Sequence, residues 1–340
     1  MRNHQVTQKQ RLLKEDGSLQ EPGWSTSLLQ QYDRSQIKAP KFRIKEWDYY
    51  LVLNQNFGVA FTLSDDGYFG LQSVSFLDFI KPSEHTETIL TKFPMGKLGL
   101  PSTSEKGTSY YHDDRLHLEY RVGKEKRQII CLFKNFLSGK TLKCNLLLDQ
   151  PPMDTMVIAT PWKEKKTAFY YNQKINCLRA SGHVQLGNRR YNFNPETDFA
   201  TLDWGRGVWT YNNTWYWATG NGVIEDKPFG FNLGYGFGDT SASTENVLFY
   251  DGVAHKLDDV SFHIPLPSHT APWTFSSSDG RFEMEFLPII DRTANIHIGP
   301  VRSDQHQVFG HMNGIAILDD GTKLVLKDFL CSAEHIHNKF

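Results

Sequence analysis

At 340 residues and a formal net charge of −1, the chain is larger than one typical core. It has no long basic run, so nucleic acid and anionic membrane surfaces are not expected partners. Apolar residues at 39% and charged residues at 22% exclude a disordered chain, and no apolar stretch reaches the length of a membrane-spanning helix. Aromatics at 13% suit strands and aromatic-lined pockets better than helical bundles.

The polar start, from Met1 to Gly17, lacks the apolar stretch of a secretory signal. The cysteines Cys131, Cys144, Cys177 and Cys331 lie far apart without a Cys-x-x-Cys, as expected of inert thiols in a reducing compartment. A cytoplasmic location follows as the expectation. Short helices are expected only at Ser25 to Tyr32 and Val74 to Ile80. Elsewhere turn signals dominate. Asp-Gly stands at 16–17, 66–67, 251–252, 279–280 and 320–321, and Asn-Gly at 221–222 and 313–314. These dipeptides tolerate positive φ and close hairpins where strand-like segments flank them.

Tyr110 to Arg115 reads as a surface turn. The two prolines Pro151 and Pro152, then Pro161, interrupt the pattern, and Lys163 to Lys166 forms a charged connector. The chain is therefore expected to be mainly antiparallel β in two barrel or sandwich domains, residues 1–165 and 166–340. His183 to Leu186, Gly187-Asn188 and Arg189 to Phe193 read as a hairpin with a two-residue loop.

The richest stretch runs from Phe199 to Gly222 and holds Trp204, Trp209, Trp215 and Trp217, half of the eight tryptophans. As a strand, Asn213, Trp215, Trp217, Thr219 and Asn221 share one face. In the next strand, Phe229 to Gly238, bulky residues including Tyr235 take every odd position. Glycine or Asn takes the even ones, so something must approach that exposed backbone closely. Just before the aromatic strand, Asp203, Trp204, Gly205, Arg206 and Gly207 form a compact polar group. Two readings stand: an Asp203–Arg206 pair that pins a turn, or Asp203 in a tryptophan-lined cavity where desolvation makes it a usable acid.

Further along, Phe282, Met284 and Phe286 share a face, with Glu283 and Glu285 toward solvent. His311 is a candidate proton shuttle, with a hydrogen-bonded barrel histidine as the favoured alternative. Glu334, His335 and His337 could offer a His-x-His pair, but a solvated chain end is favoured, so no metal is assigned. Gly234-x-Gly236-x-Gly238 imitates a nucleotide fingerprint without the helix that would follow, and no cofactor is implied.

The run Asp203-Trp204-Gly205-Arg206-Gly207-Val208-Trp209, followed by Trp215-x-Trp217 and Gly220-x-Gly222, resembles the signature of the family called domain of unknown function 2804. Lys45 to Tyr50, Phe286-Leu287-Pro288 with Arg292, Gln307 to Gly310, Asn313-Gly314 and Glu334 match it in order. More remotely, the chain is similar to the two-barrel, lipocalin-like group of carotenoid hydratases, tocopherol cyclases and fungal Diels–Alder-type cyclases. That resemblance implies lipocalin-like barrels. The group often carries Asp-His-x-Trp-Gly at this place, whereas here Asp203-Trp204-Gly205 has no adjacent histidine.

Three functions follow as expectations. The favoured one is an enzyme that hydrates, isomerises or cyclises an apolar metabolite. Asp203 would be the acid, Trp204, Trp209, Trp215, Trp217 and Tyr235 the cavity wall, and Arg206 or Asn221 would orient a polar end. The second is a glycoside-active enzyme, with Asp239 as the second carboxylate roughly 5–10 Å from Asp203. The third is a barrel that binds a small hydrophobic ligand without chemistry. The expected partner is a small molecule, apolar or carbohydrate, and the oligomeric state stays open.

Overall fold

The structure, a computed structural model, describes residues 3–298 and 301–339, so Met1 and Arg2 of the polar start lie outside the described residues. Strands make up 65% of it and helix 2%, the latter being two 3-10 turns at Arg34–Gln36 and Lys41–Arg43. Among the described residues no helix is long and apolar enough to cross a membrane. Two curled antiparallel half-barrel sheets build the molecule, as the lipocalin-like expectation requires.

The first sheet has 13 strands, ten on one path and three, Gly23–Ser25, Met156–Trp162 and Arg189–Phe193, paired off it. Its path runs Ser83–Lys92, Phe69–Asp78, Phe57–Asp65, Ile44–Leu53, Phe199–Val208, Lys165–Leu186, Lys140–Asp149, Lys126–Leu137, Leu116–Val122 and Gly107–His112. Nine strands form the second, in the order Val253–Lys256, Val247–Tyr250, Lys227–Tyr235, Asn212–Ile224, Lys323–Lys339, Val301–Ile317, Phe282–Ile298, Trp273–Ser277 and Val260–His263. The change of sheet thus falls between Val208 and Asn212. The strand Lys165–Leu186, which begins at the expected division of 165–166, pairs along its length with first-sheet strands on both sides.

Most of the turn dipeptides close hairpins as expected. Asp65 faces Gly70 across Asp66-Gly67, Tyr250 faces Val253 across Asp251-Gly252, and Leu186 faces Arg189 across Gly187-Asn188. The two Asn-Gly pairs do not. Asn221-Gly222 lies inside Asn212–Ile224, and Asn313-Gly314 sits at a bulge within Val301–Ile317, where Gly314 adopts φ 154°. Neither expected helix forms. Residues 74–78 continue a strand in which Val74 and Phe76 enter the core while Ser75 turns away, a period of two. In the segment from Ser25 to Tyr32 the carbonyls of Thr26 and Leu29 accept from Thr155 and Gln10, and the internal bond from the Leu29 amide to the Ser27 carbonyl spans two residues, a tight turn rather than a helical one.

Alternation then sorts the side chains along these strands. Even-numbered residues of Phe199–Val208 (Ala200, Leu202, Trp204, Val208) enter the first barrel's core beside Tyr50, Phe133 and Tyr171. Phe229, Phe231 and Leu233 join Trp273, Phe282, Met284 and Phe286 in the second core. Glu283 and Glu285 face solvent. All four cysteines are buried and free.

Candidate functional site

The residues left over by that sorting face one another between the two sheets. Trp47 and Tyr49 come from Ile44–Leu53, Tyr170 and Lys174 from Lys165–Leu186, and Asp203 from Phe199–Val208. Opposite stand Trp215, Trp217, Arg292, Gln307 and Glu334 of the second sheet. Together with Trp209, Phe237 and Glu245 they line a cavity of about 390 Å³. One wall is aromatic, with Trp47 edge-on to Trp209 at 5.2 Å and Trp209 edge-on to Trp215 at 5.9 Å. Another is a row of hydroxyls, Thr62, Ser64, Ser73, Thr86 and Thr88.

Two glycines make the walls possible. A Cβ on Gly205 would meet Trp47 Cζ2 at 1.9 Å, so only glycine lets that indole lie against the strand. At Gly234 a Cβ would stand 2.5 Å from Glu245 Oε1. The glycine face of Lys227–Tyr235 is therefore approached by protein, with Cys177 and Asn176 at Gly230 and Glu245 at Gly234.

The cavity's charges are concentrated at one place. Lys174 Nζ lies 2.7 Å from Asp203 Oδ2 and over the Trp217 ring at 4.1 Å. Asn172 donates to the other oxygen of Asp203 at 2.6 Å. Glu334 accepts a hydrogen bond from Gln307, whose amide also bonds the Tyr49 hydroxyl. Burial, reinforced by the negative Asp203, pushes the Glu334 carboxyl up to about 7, against the opposing pull of Arg292 and Lys174. Burial likewise raises Glu245, which accepts from Asn232 at 3.2 Å. It also lifts the Tyr49 phenol to about 12. Three carboxyl groups thus share the surroundings of Lys174, and Arg292 adds a second cation whose guanidinium donates to Ser75 at 2.6 Å. A buried carboxyl that titrates near neutrality, beside an apolar wall, is equipped to deliver a proton.

Of the residues singled out in the sequence, Asp203, Trp209, Trp215 and Trp217 meet in this cavity. Arg206 does not. Its side chain points through the opposite face of the strand into the first barrel, where it is wholly buried. There it donates to Asp48 Oδ1 at 3.0 Å and to the carbonyls of Trp47, Gly205 and Pro101. The Asp203–Arg206 pair is absent because residues an odd number apart on a strand face opposite ways. Trp204 follows Arg206 into that core, edge-on to Tyr32 and Tyr171 and under the guanidinium at 4.2 Å.

Asn221 donates to Thr201 and accepts from the Cys177 amide, bracing the two sheets. Tyr235 stacks on Tyr216 at 4.5 Å in the second barrel. Asp239 caps Ser241 and lies 3.6 Å from Lys163, and neither it nor His311 lines the cavity. Residues without an assigned role at the level of sequence complete the site instead. Tyr49, Arg292 and Gln307 carried only the family resemblance, Glu334 carried that and the expectation of a solvated chain end but is buried within the strand Lys323–Lys339, and Glu245 carried no signal of its own. A lysine amid the strand residues FYYNQKINC was the available hint for Lys174.

The architecture has solved counterparts. Kievitone hydratase from Nectria haematococca superposes with a TM-score of 0.53 at 9% identity, covering 97% of this chain and 98% of that one. A putative AttH from Nitrosomonas europaea gives 0.42 at 11% identity, over 90% and 95% respectively. No curated protein sequence matches the chain. The model of the family described as Domain of unknown function (DUF2804) matches residues 3–340, and the chain belongs to that family.

Proposed function

We propose that the protein is an acid catalyst that adds water to, isomerises or cyclises an alkene-bearing, partly apolar small molecule held between the two sheets. The observation that carries this reading is the cluster of Asp203, Glu245 and Glu334 around Lys174 in a tryptophan-walled cavity. Glu334, rather than Asp203, is the proton donor. Both oxygens of Asp203 are engaged, by Lys174 and by Asn172, whereas Glu334 is held only through Gln307.

In the hydration version, the Glu334 carboxyl gives its proton to one alkene carbon and the π pair forms the new C–H bond. The cation left on the other carbon faces the electron-rich indoles of Trp47, Trp215 and Trp217 and the negative Asp203. A water oxygen bonds to that carbon, and its surplus proton returns to the Glu334 carboxylate. Water is consumed and the acid is regenerated. Loss of a proton from the cation instead gives an isomer. The similar solved fold is that of a hydratase, which makes hydration the first reaction to assay.

The row of five hydroxyls opposite the tryptophans favours a second reading, glycoside cleavage with Asp203 and Glu334 as the carboxyl pair. Wild type and Glu334→Gln, both checked for folding, would be incubated with lipid, terpenoid and oligosaccharide extracts and read by mass spectrometry. A compound that gains one water or becomes an isomer of unchanged mass in wild type alone supports the proposal. Cleaved sugar chains would transfer it to the second reading. A compound bound unchanged by both proteins, with no product formed, would sink catalysis and leave a binding protein.

A further inference from the structure

On the opposite side of the second sheet from the cavity lies another group of titratable side chains. Gln305 and Gln307 line the cavity, and between them His306 turns the other way. His306 Nδ1 is 2.8 Å from Asp291 Oδ2. His269, on the connection between Val260–His263 and Trp273–Ser277, stacks on His306 with ring centroids 3.6 Å apart and planes 8° from parallel. One candidate ligand atom each from His269, Asp291 and His306 fall within 4.8 Å of one another, and all three residues are half-buried.

The surroundings are those of a supported site. Nε2 of His269 is held by His335 Nδ1 at 3.0 Å. His335 is in turn stacked flat on Tyr216, with centroids 4.8 Å apart. Trp273 Nε1 donates to the His269 carbonyl at 3.0 Å and anchors the connection. Asp291 Oδ1 is buried without a hydrogen-bond partner. A buried carboxylate oxygen without a partner is unfavourable, and a bound cation would remove that cost.

We infer that His269, Asp291 and His306 form a binding site for one divalent d-block cation, of the zinc or cobalt kind, with His335 as the residue that positions His269. Two imidazole nitrogens and one carboxylate oxygen are a borderline donor set, suited to such ions rather than to magnesium or calcium. Two bonds of ~2.0–2.2 Å place ligand atoms at most about 4.4 Å apart, so the observed spread must close by a few tenths of an ångström. The imidazole lone pairs lie in the ring planes, so His269 must also turn out of its stack. Both adjustments are side-chain rotations, and His269 belongs to a connecting segment rather than to a strand. The ion would fasten that segment to Phe282–Ile298 and Val301–Ile317 and keep a coordination position for water.

The test uses untagged full-length protein, stripped with chelator and titrated with Co²⁺. Uptake of one equivalent per chain, with visible ligand-field absorption, is expected. His269→Gln and Asp291→Asn, shown to be folded by circular dichroism, should lose stoichiometric uptake. His335→Ala should weaken it ~10–100-fold, as loss of a hydrogen-bond partner that orients a ligating imidazole does. His337→Gln should leave it unchanged, because His337 is engaged with Thr214 at 2.7 Å. Uptake well below one equivalent in wild type, or uptake that survives His269→Gln, overturns the site. Loss in His337→Gln alone would do the same.

Discussion

The two faces of the strand Phe199–Val208 hold buried charge in opposite ways. On the face turned into the first barrel, Arg206 is matched by Asp48, by Glu46 at 3.9 Å and by three backbone carbonyls. Ser109 donates to the remaining oxygen of Asp48, and Tyr32 and Arg34 donate to Glu46. Trp204 packs beside them, edge-on to Tyr32 and Tyr171. On the cavity face, Asp203, Glu245 and Glu334 outnumber Lys174 and Arg292, and open volume adjoins them. In the first arrangement the carboxylates of Asp48 and Glu46 are matched by cations and hydroxyls, which suits it to holding the barrel together. The second leaves a carboxyl displaced toward neutrality, a state that costs stability and is useful for chemistry.

The sharpest break in that comparison is Arg206→Met. It strands Asp48 and Glu46 in the core without their cation, and removing one partner of a buried network costs ~3–5 kcal/mol. The denaturant midpoint should fall accordingly. Arg206→Lys should recover little, since one ammonium cannot reach the four acceptors that the guanidinium fork spans. A midpoint within error of wild type would mean that the first barrel does not depend on this pairing.

Glu334→Gln should act in the other direction. A carboxyl raised from 4.5 to about 7 by folding binds its proton more tightly in the folded chain than in the unfolded one. Stability from this group is therefore intact below pH ~4.5 and is lost as pH rises toward ~7, a change on the order of 3 kcal/mol. Glutamine does not titrate, so the variant's stability relative to wild type should improve between pH 5 and pH 8. Equal pH profiles for the two proteins would place the Glu334 carboxyl in its ordinary range and remove the proposed proton donor. Catalysis, where found, should decline in wild type above pH ~7, as the acid ionises.

What was legible in the sequence was local. Turn dipeptides and the alternation of Phe229 to Tyr235 specify hairpins and core faces, because period-two burial and positive-φ turns act over a few residues. The same rule, carried from Trp215 back to Asp203, separates Asp203 from Arg206. Their closeness in the chain suggested a pair that a strand forbids. Glu245 was not legible at all, since it lies in an irregular connection and reaches the cavity only by folding against Gly234. Lys174 meets Asp203 through the pairing of Lys165–Leu186 with Phe199–Val208, a register that no local pattern fixes.

Asp203→Asn probes the cavity face more gently than Arg206→Met probes the other. Lys174 keeps the attraction of Glu245 and Glu334, so the loss should be that of one charged hydrogen-bond partner, ~1.5–3 kcal/mol. A second consequence separates this from simple damage. The negative charge that helps raise Glu334 is gone, so its titration should move downward, readable by NMR of a carboxyl-labelled glutamate or by the alkaline limb of activity. An unmoved titration would show the two carboxyl groups to be uncoupled. Gly205→Ala, which drives a Cβ into the Trp47 ring, should cost a comparable ~1–3 kcal/mol. Tryptophan emission should shift with it as the indole is displaced.

Trp217→Phe should have the smallest effect and tests how the aromatic wall is tied to the charges. The Trp217 indole N–H donates to Asn232 Oδ1 at 2.7 Å, and the Asn232 amide donates to Glu245. Phenylalanine preserves most of the apolar contact but leaves Asn232 Oδ1 buried without its donor, at ~1–3 kcal/mol if nothing relaxes. The cavity is adjacent, so water can replace the lost donor and hold the cost near the bottom of that range. Lys174 also exchanges an indole face for a weaker phenyl one, worth ~0.5–1 kcal/mol. A drop well above their sum would mean that Asn232 and Glu245 shift together once Trp217 is lost. The aromatic wall and the carboxyl cluster would then be a single mechanical unit rather than two neighbouring features of one cavity.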